Sequence, residues 1–112
     1  MKELTEKLRE FAAERDWDQF HSPKNLIMAL SVEVAEIVEH FQWLSEEESY
    51  NLNSNKLEKI KEEIGDVIIY LVMLADKLGV DPIQAAKEKI EKNRKNYPEK
   101  LARGKANKYK ES

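Results

Sequence analysis

A chain of 112 residues, 41% apolar and 37% charged, is one domain long, too apolar for disorder, and able to bury about two thirds of its unfolded surface. Nineteen basic residues against 22 acidic ones leave a formal charge of -3, which argues against a nucleic-acid polymer as partner. The absence of cysteine excludes disulfides, thiolate catalysis, zinc-thiolate sites and iron-sulfur clusters.

Only three Gly and three Pro interrupt the chain, which suits a helical bundle and not a turn-rich β domain. Leu4, Leu8 and Phe11 recur at helical spacing and predict a first amphipathic helix over residues 3–15. The polar stretch 16–22 breaks that pattern. Ser22 then offers an N-cap and Pro23 a first helical position, so a second helix runs from Pro23 to Phe41. Its inward stripe is Leu26, Ile27, Leu30, Val34, Ile37 and Phe41. Ser45 followed by Glu48 has capping-box spacing and predicts a short helical turn at 46–50. After a polar loop beginning at Asn51, a third long helix spans Asn55 to Leu78. Leu57, Ile60, Ile64, Val67, Ile68, Leu71 and Leu74 point it toward the core. The β-branched run from Val67 could form a strand, but the sustained helical period favours a helix. Residues 67–75 are apolar nearly all round, which calls for burial on several faces and points to a subunit interface.

Gly79 stops this helix, Asp81 caps the next and Pro82 begins it. That last helix ends by Tyr97, before Pro98. The basic stretch 99–112 reads as an extended arm. The expected fold is therefore all-α, a bundle-like subunit of four main helices over residues 1–98. The arm would dock on the site or on a neighbouring subunit of a dimer or tetramer. No apolar run approaches 18 residues and no apolar signal core opens the chain, which predicts no membrane partner and a cytoplasmic location.

Acidic residues three apart lie on one side of a helix. The chain has five such pairs, Glu3/Glu6, Glu33/Glu36, Glu36/Glu39, Glu63/Asp66 and Glu88/Glu91, against about four expected by chance. Any one of them is ordinarily a solvated face. Two differ in context. Val32 and Val34 flank Glu33, and a long apolar run follows Asp66. If their helices pack side by side, Glu33, Glu36, Glu63 and Asp66 gather in one pocket. A divalent cation reverses their repulsion, and hard oxygen ligands are what magnesium prefers. Glu39 and Glu62 read as solvent-facing neighbours, although Glu62 and Asp66 also stand four apart. Glu36 and His40 are four apart rather than three, and no second copy exists, which argues against a di-iron centre. A P-loop is excluded on motif grounds. Phosphate hydrolysis assisted by metal-bound carboxylates fits the pattern.

Trp17, Trp43 and Tyr70 are candidates to stack on a base, core packing being their ordinary role. Trp17 stands in the polar break, Trp43 follows the end of an acidic helix, and Tyr70 is four residues past Asp66 on the same face. His21 either covers the inter-helix corner or touches ligand. Lys89, Asn93 and Arg94 come late in the last helix. A charge run there is ordinarily solvated, but Asn93 keeps step with Ala86 and Ile90, and an amide can read the donors and acceptors of a base.

These residues carry a likeness. Phe11 to Leu26 (FAAERDWDQFHSPKNL) leads into Glu33-Val-Ala-Glu36, and Phe41-Gln-Trp43 closes the second helix. Glu62-Glu63-Ile-Gly-Asp66-Val-Ile-Ile-Tyr70-Leu supplies a second acidic half. Asn93-Arg-Lys-Asn-Tyr-Pro98 and Arg103-Gly-Lys-Ala-Asn-Lys-Tyr109 complete the set. Nearly the whole chain thereby resembles the all-α nucleoside triphosphate pyrophosphohydrolases, the MazG-like group, and within it the dCTP pyrophosphatase branch. The resemblance implies Mg2+ held by Glu33, Glu36, Glu63 and Asp66; of these, Glu36 and Glu63 are the leading pair to assist an attacking water. It implies base contacts from Trp17, Trp43, Tyr70, Lys89 and Asn93. It further implies phosphate or subunit contacts from Arg94, Lys105, Lys108 and Tyr109, and a homotetramer of paired subunits. The implied reaction is cleavage of a nucleoside triphosphate, dCTP foremost, to the monophosphate and pyrophosphate. Two alternatives stand beside it: a dUTP, broad or modified-nucleotide pyrophosphohydrolase, and a non-enzymatic helical interaction module.

Overall fold

The computed structural model describes residues 1–97. The expected arm at 99–112, with Lys105, Lys108 and Tyr109, lies outside the described residues. Residues Met1–Val80 form one unit, and a second begins at Asp81. Within the described residues the regular structure is all helical.

Local chemistry explains most boundaries. Helix α1 covers Lys2–Glu14. Behind it Asp16 takes a φ of 52°, in the left-handed region that few side chains besides Asn and Asp tolerate. The Gln19 amide donates to the Asp16 carbonyl at 3.0 Å and to its carboxylate at 3.1 Å. The chain then enters a 3-10 turn at Asp18–Phe20. Three residues carry no readable period, so this turn was not in the predicted elements.

Helix α2 spans Pro23–Phe41, as the cap and proline predict. The Ser22 hydroxyl accepts the Asn25 N–H at 3.1 Å. Helix α3 is one turn, Glu46–Ser49, with both halves of its capping box formed. Ser45 Oγ accepts the Glu48 N–H at 3.1 Å, and the Glu48 carboxylate accepts the Ser45 N–H at 2.8 Å. Those bonds hold the Glu48 carboxyl below its usual range. Helix α4, Ser54–Lys77, starts one residue earlier than expected because the Asn53 side chain accepts the Lys56 N–H at 2.8 Å. Gly79 leaves α4 with a φ of 68°, a conformation natural to glycine. In the second unit, α5 covers Pro82–Asn96, and Asp81 accepts the N–H groups of Ile83 and Gln84, each at 3.0 Å.

At 24 residues, α4 is about 36 Å long and forms the spine of the first unit. Helix α2 packs along it most extensively, and α1 packs on it as well. Ala12, Leu26, Ile60, Val72 and Ala75 are buried between them. This core is thinner than the apolar stripes suggest. Ile27 and Val34 on α2, and Leu57, Ile64, Ile68 and Leu71 on α4, were expected inside but are exposed in the single chain. A helix pair covers one arc of each partner, and two helices cannot surround α4. Met28 and Val32, 58% and 56% exposed, extend the uncovered apolar surface of α2. No helix among the described residues is long and apolar enough to cross a membrane.

Candidate active site

The α2–α4 contact selects two of the five acidic pairs. Glu33, Glu36 and Glu63 are half-buried and Asp66 is exposed. The Glu33 carboxyl is pushed above its usual range, first by burial and then by a hydrogen bond shared with Glu36. The negative charges of Glu36, Asp66 and Glu63 add to the shift. Glu33 therefore feels Glu36 on its own helix and Glu63 and Asp66 across the helix pair. Glu39 and Glu62 are exposed, as expected for neighbours facing solvent.

His40 joins this seam from α2. Its Nε2 lies 2.9 Å from Glu63 Oε2, and both side chains are 21% exposed. The approach is an ion pair when the ring is protonated. It is not an aligned hydrogen bond, so Glu63 Oε2 has no completed donor, and neither has the buried Glu33 Oε2. Sequence reasoning placed His40 only one turn past Glu36 and gave it no role in the site. The spacing on α2 was visible, but the partner on α4 was not.

The donor set fits a hard divalent cation. It consists of carboxylate oxygens from two facing helices, two of them buried and short of donors, with the Glu33 carboxyl pushed upward by burial and by its acidic neighbours. Among the described residues, no three His, Asp or Glu side chains converge tightly enough to hold an ion as they stand.

Beside the seam lies a cavity of about 360 Å³, lined by Lys7, Leu8, Phe11, Trp17, His21, Asp66, Ile69, Tyr70 and Met73. Trp17, His21 and Tyr70, singled out in the sequence, thus meet around one space. The left-handed Asp16 turn swings Trp17 back toward α1. There its ring meets Phe11 edge-on at 5.6 Å and His21 edge-on at 6.4 Å. The Arg15 guanidinium stacks on the Phe11 ring at 3.7 Å, closing the cluster from outside. His21 Nδ1 is buried without a hydrogen-bond partner. Lys7 was missed in the sequence because a lysine on an amphipathic helix is ordinarily solvated. Its one signal was its place one turn before Phe11.

Trp43 does not line this cavity and is 87% exposed in the single chain. Lys89, Asn93 and Arg94 lie on α5, in the second unit. Asn93 is half-buried, and Arg94 pairs with Glu91 at 3.0 Å.

Against known proteins, a family model described as the MazG-like family matches residues 28–111. The dCTP pyrophosphatase 1 of Mus musculus is 50% identical over 102 residues, covering 89% of this chain and 60% of that protein. The dCTP pyrophosphatase 1 of Homo sapiens is 47% identical over 104 residues, covering 91% of this chain and 61% of that protein. The chain thus spans about 60% of the length of these curated relatives. Among solved structures, a pyrophosphatase from Archaeoglobus fulgidus superposes with a TM-score of 0.83 at 45% identity, covering 88% of this chain and 92% of that one.

Proposed function

The chain belongs to the MazG-like family, and on that premise we propose that it hydrolyses a nucleoside triphosphate, dCTP foremost, to the monophosphate and pyrophosphate. Pyrophosphatases of this family are generally metal-dependent. In this reading the metal is magnesium, held by Glu33, Glu36, Glu63 and Asp66. The observation that carries the proposal is the double position of Asp66. It lines the aromatic cavity, and its charge is felt by Glu33 in the acidic seam. A base seated in the cavity beside Trp17 and Tyr70 therefore directs its phosphates toward the carboxylates.

The chain's own residues divide the work. Trp17, braced by Phe11 and Arg15, offers a ring for stacking. His21 Nδ1, buried and unpartnered, is available to a polar edge of the base. Binding free energy gained at the base orients the distant phosphorus for reaction. Magnesium, when bound, supplies positive charge to the triphosphate oxygens and lowers the pKa of water. Water oxygen forms the new bond to the α phosphorus, the bond to the α–β bridging oxygen breaks, and pyrophosphate leaves. The proton of the attacking water passes to a carboxylate oxygen of Glu36 or Glu63. The family likeness adds substrate contacts from Trp43, Lys89, Asn93, Arg94, Lys105, Lys108 and Tyr109.

The proposal includes a homo-oligomer, a dimer or a tetramer of paired dimers. The exposed apolar faces of α2 and α4 support it, since a second copy removes Met28, Val32 and Ile64 from water. The proposed compartment is the cytoplasm, which supplies nucleoside triphosphates.

A panel of deoxy- and ribonucleoside triphosphates with magnesium in oxygen-18 water tests the reading. Pyrophosphate release with dCTP the best substrate, and label in dCMP, is the expected result. Orthophosphate release, or label in pyrophosphate, ends the α-phosphorus assignment. Turnover of dUTP far above dCTP moves the base preference. Absence of hydrolysis across the panel leaves the interaction module.

A further inference from the structure

We infer that His40 is a positioning residue for Glu63, an inference that rests on the metal role proposed above for the acidic seam. His40 stands on α2 and Glu63 on α4, so their 2.9 Å approach crosses the helix pair and does not run along one helix. His40 is also one turn past Glu36, on the same face of α2. The imidazole thus closes the row of carboxylates at one end, with both side chains largely shielded from solvent.

The physical need is plain. A glutamate has three side-chain torsions, and ordering them costs free energy when the group must take one orientation. Glu63 Oε2 is buried and no completed hydrogen bond fixes it. His40 Nε2 lies 2.9 Å from it. At that distance the two atoms are within hydrogen-bond range, and a rotation of the ring would bring an Nε2–H donor onto Oε2. An imidazole on Oε2 restricts the carboxylate and leaves its other lone pairs for a cation. Carboxylate ligands are characteristically held by such outer partners. An apolar residue at position 40 could pack as well but could not orient Glu63.

The test uses the full chain and Mn2+, with free Mn2+ read by electron paramagnetic resonance without nucleotide. Wild type, His40→Ala, His40→Gln and Glu63→Gln are compared, with thermal unfolding of each. His40→Ala is expected to weaken Mn2+ binding about 10–100-fold. His40→Gln, which keeps an N–H donor, restores most of the loss. In turnover the Ala variant shows its defect in the Mn2+ concentration needed for half-maximal rate. Wild-type Mn2+ affinity in His40→Ala, or a Gln variant as weak as the Ala variant, overturns the inference. Glu63→Gln separates the two levels. If it binds Mn2+ like wild type, the metal reading of the seam falls. If it weakens binding while His40→Ala does not, only the positioning role falls.

Discussion

Glu3 and Glu6 on α1 and Glu33 and Glu36 on α2 share residue type and spacing. Glu3 meets Lys7 at 3.6 Å, with the two side chains 86% and 71% exposed. Water screens that contact, and it contributes little. The Glu33 carboxyl, by contrast, is pushed upward by burial, by Glu36 and by Asp66 and Glu63 across the seam. Glu88 and Glu91 on α5 repeat the solvated pattern, with Glu91 paired to Arg94. Spacing makes a pair of carboxylates. A facing helix that carries its own pair is what turns them into a candidate site.

The comparison breaks most readily at the seam itself. Glu36→Gln and Glu63→Gln are expected to lower kcat roughly 10²–10⁴-fold, whereas Glu6→Gln on α1 leaves steady-state turnover of dCTP unchanged. Equal losses from both pairs would show that spacing alone was enough. Trp17→Ala sharpens the role of Asp66 as the shared wall. It is expected to raise KM for the nucleotide about 10-fold, in line with the loss of one stacked base, while Mn2+ affinity stays at the wild-type value. Asp66→Asn should move both measurements.

A smaller effect concerns stability without metal. Glu33→Gln removes a carboxylate whose neighbours repel it and is expected to stabilise the metal-free chain by about 0.2–0.5 kcal/mol in denaturant titration. Glu3→Gln, which breaks only a screened pair, should not stabilise it. If Glu33→Gln destabilises the chain, the seam is held by contacts other than those described.

The smallest effect separates crowded carboxylates from a satisfied one. Arg9 forks onto Asp76, with Nε 2.8 Å from Oδ2, and holds its carboxyl below the usual 3.8. A depressed carboxyl adds stability that is complete above its unfolded value and is lost as pH falls through the lower folded value. The stability difference between wild type and Asp76→Asn should therefore be constant from neutral pH down to about 5 and shrink below that. A difference that disappears near neutral pH contradicts the pairing.

Much of the fold was readable because it depends on contacts within a few residues. Ser22 with Pro23, Ser45 with Glu48, and Asp81 with Pro82 each mark a helix start that local hydrogen bonds enforce. Asn53 did the same at α4 and was passed over inside a polar loop. The Asp18–Phe20 turn and the left-handed Asp16 that aims Trp17 carried no periodic signal. The aromatic half of the candidate site was legible in Trp17, His21 and Tyr70. Lys7 and His40 were not, because each looks like ordinary helix surface until its neighbour on another element is known.

The residue order alone determined an all-helical chain, its caps and breaks, and five acidic pairs with their helical phase fixed to within a turn. Packing of α2 against α4 decided which pairs confront each other, that His40 reaches Glu63, and that the apolar stripes outrun the core. The reason is range. Caps and periodicity act over three or four residues, whereas the meeting of side chains about thirty positions apart depends on how one helix is rotated and inclined against another, a quantity no local pattern contains.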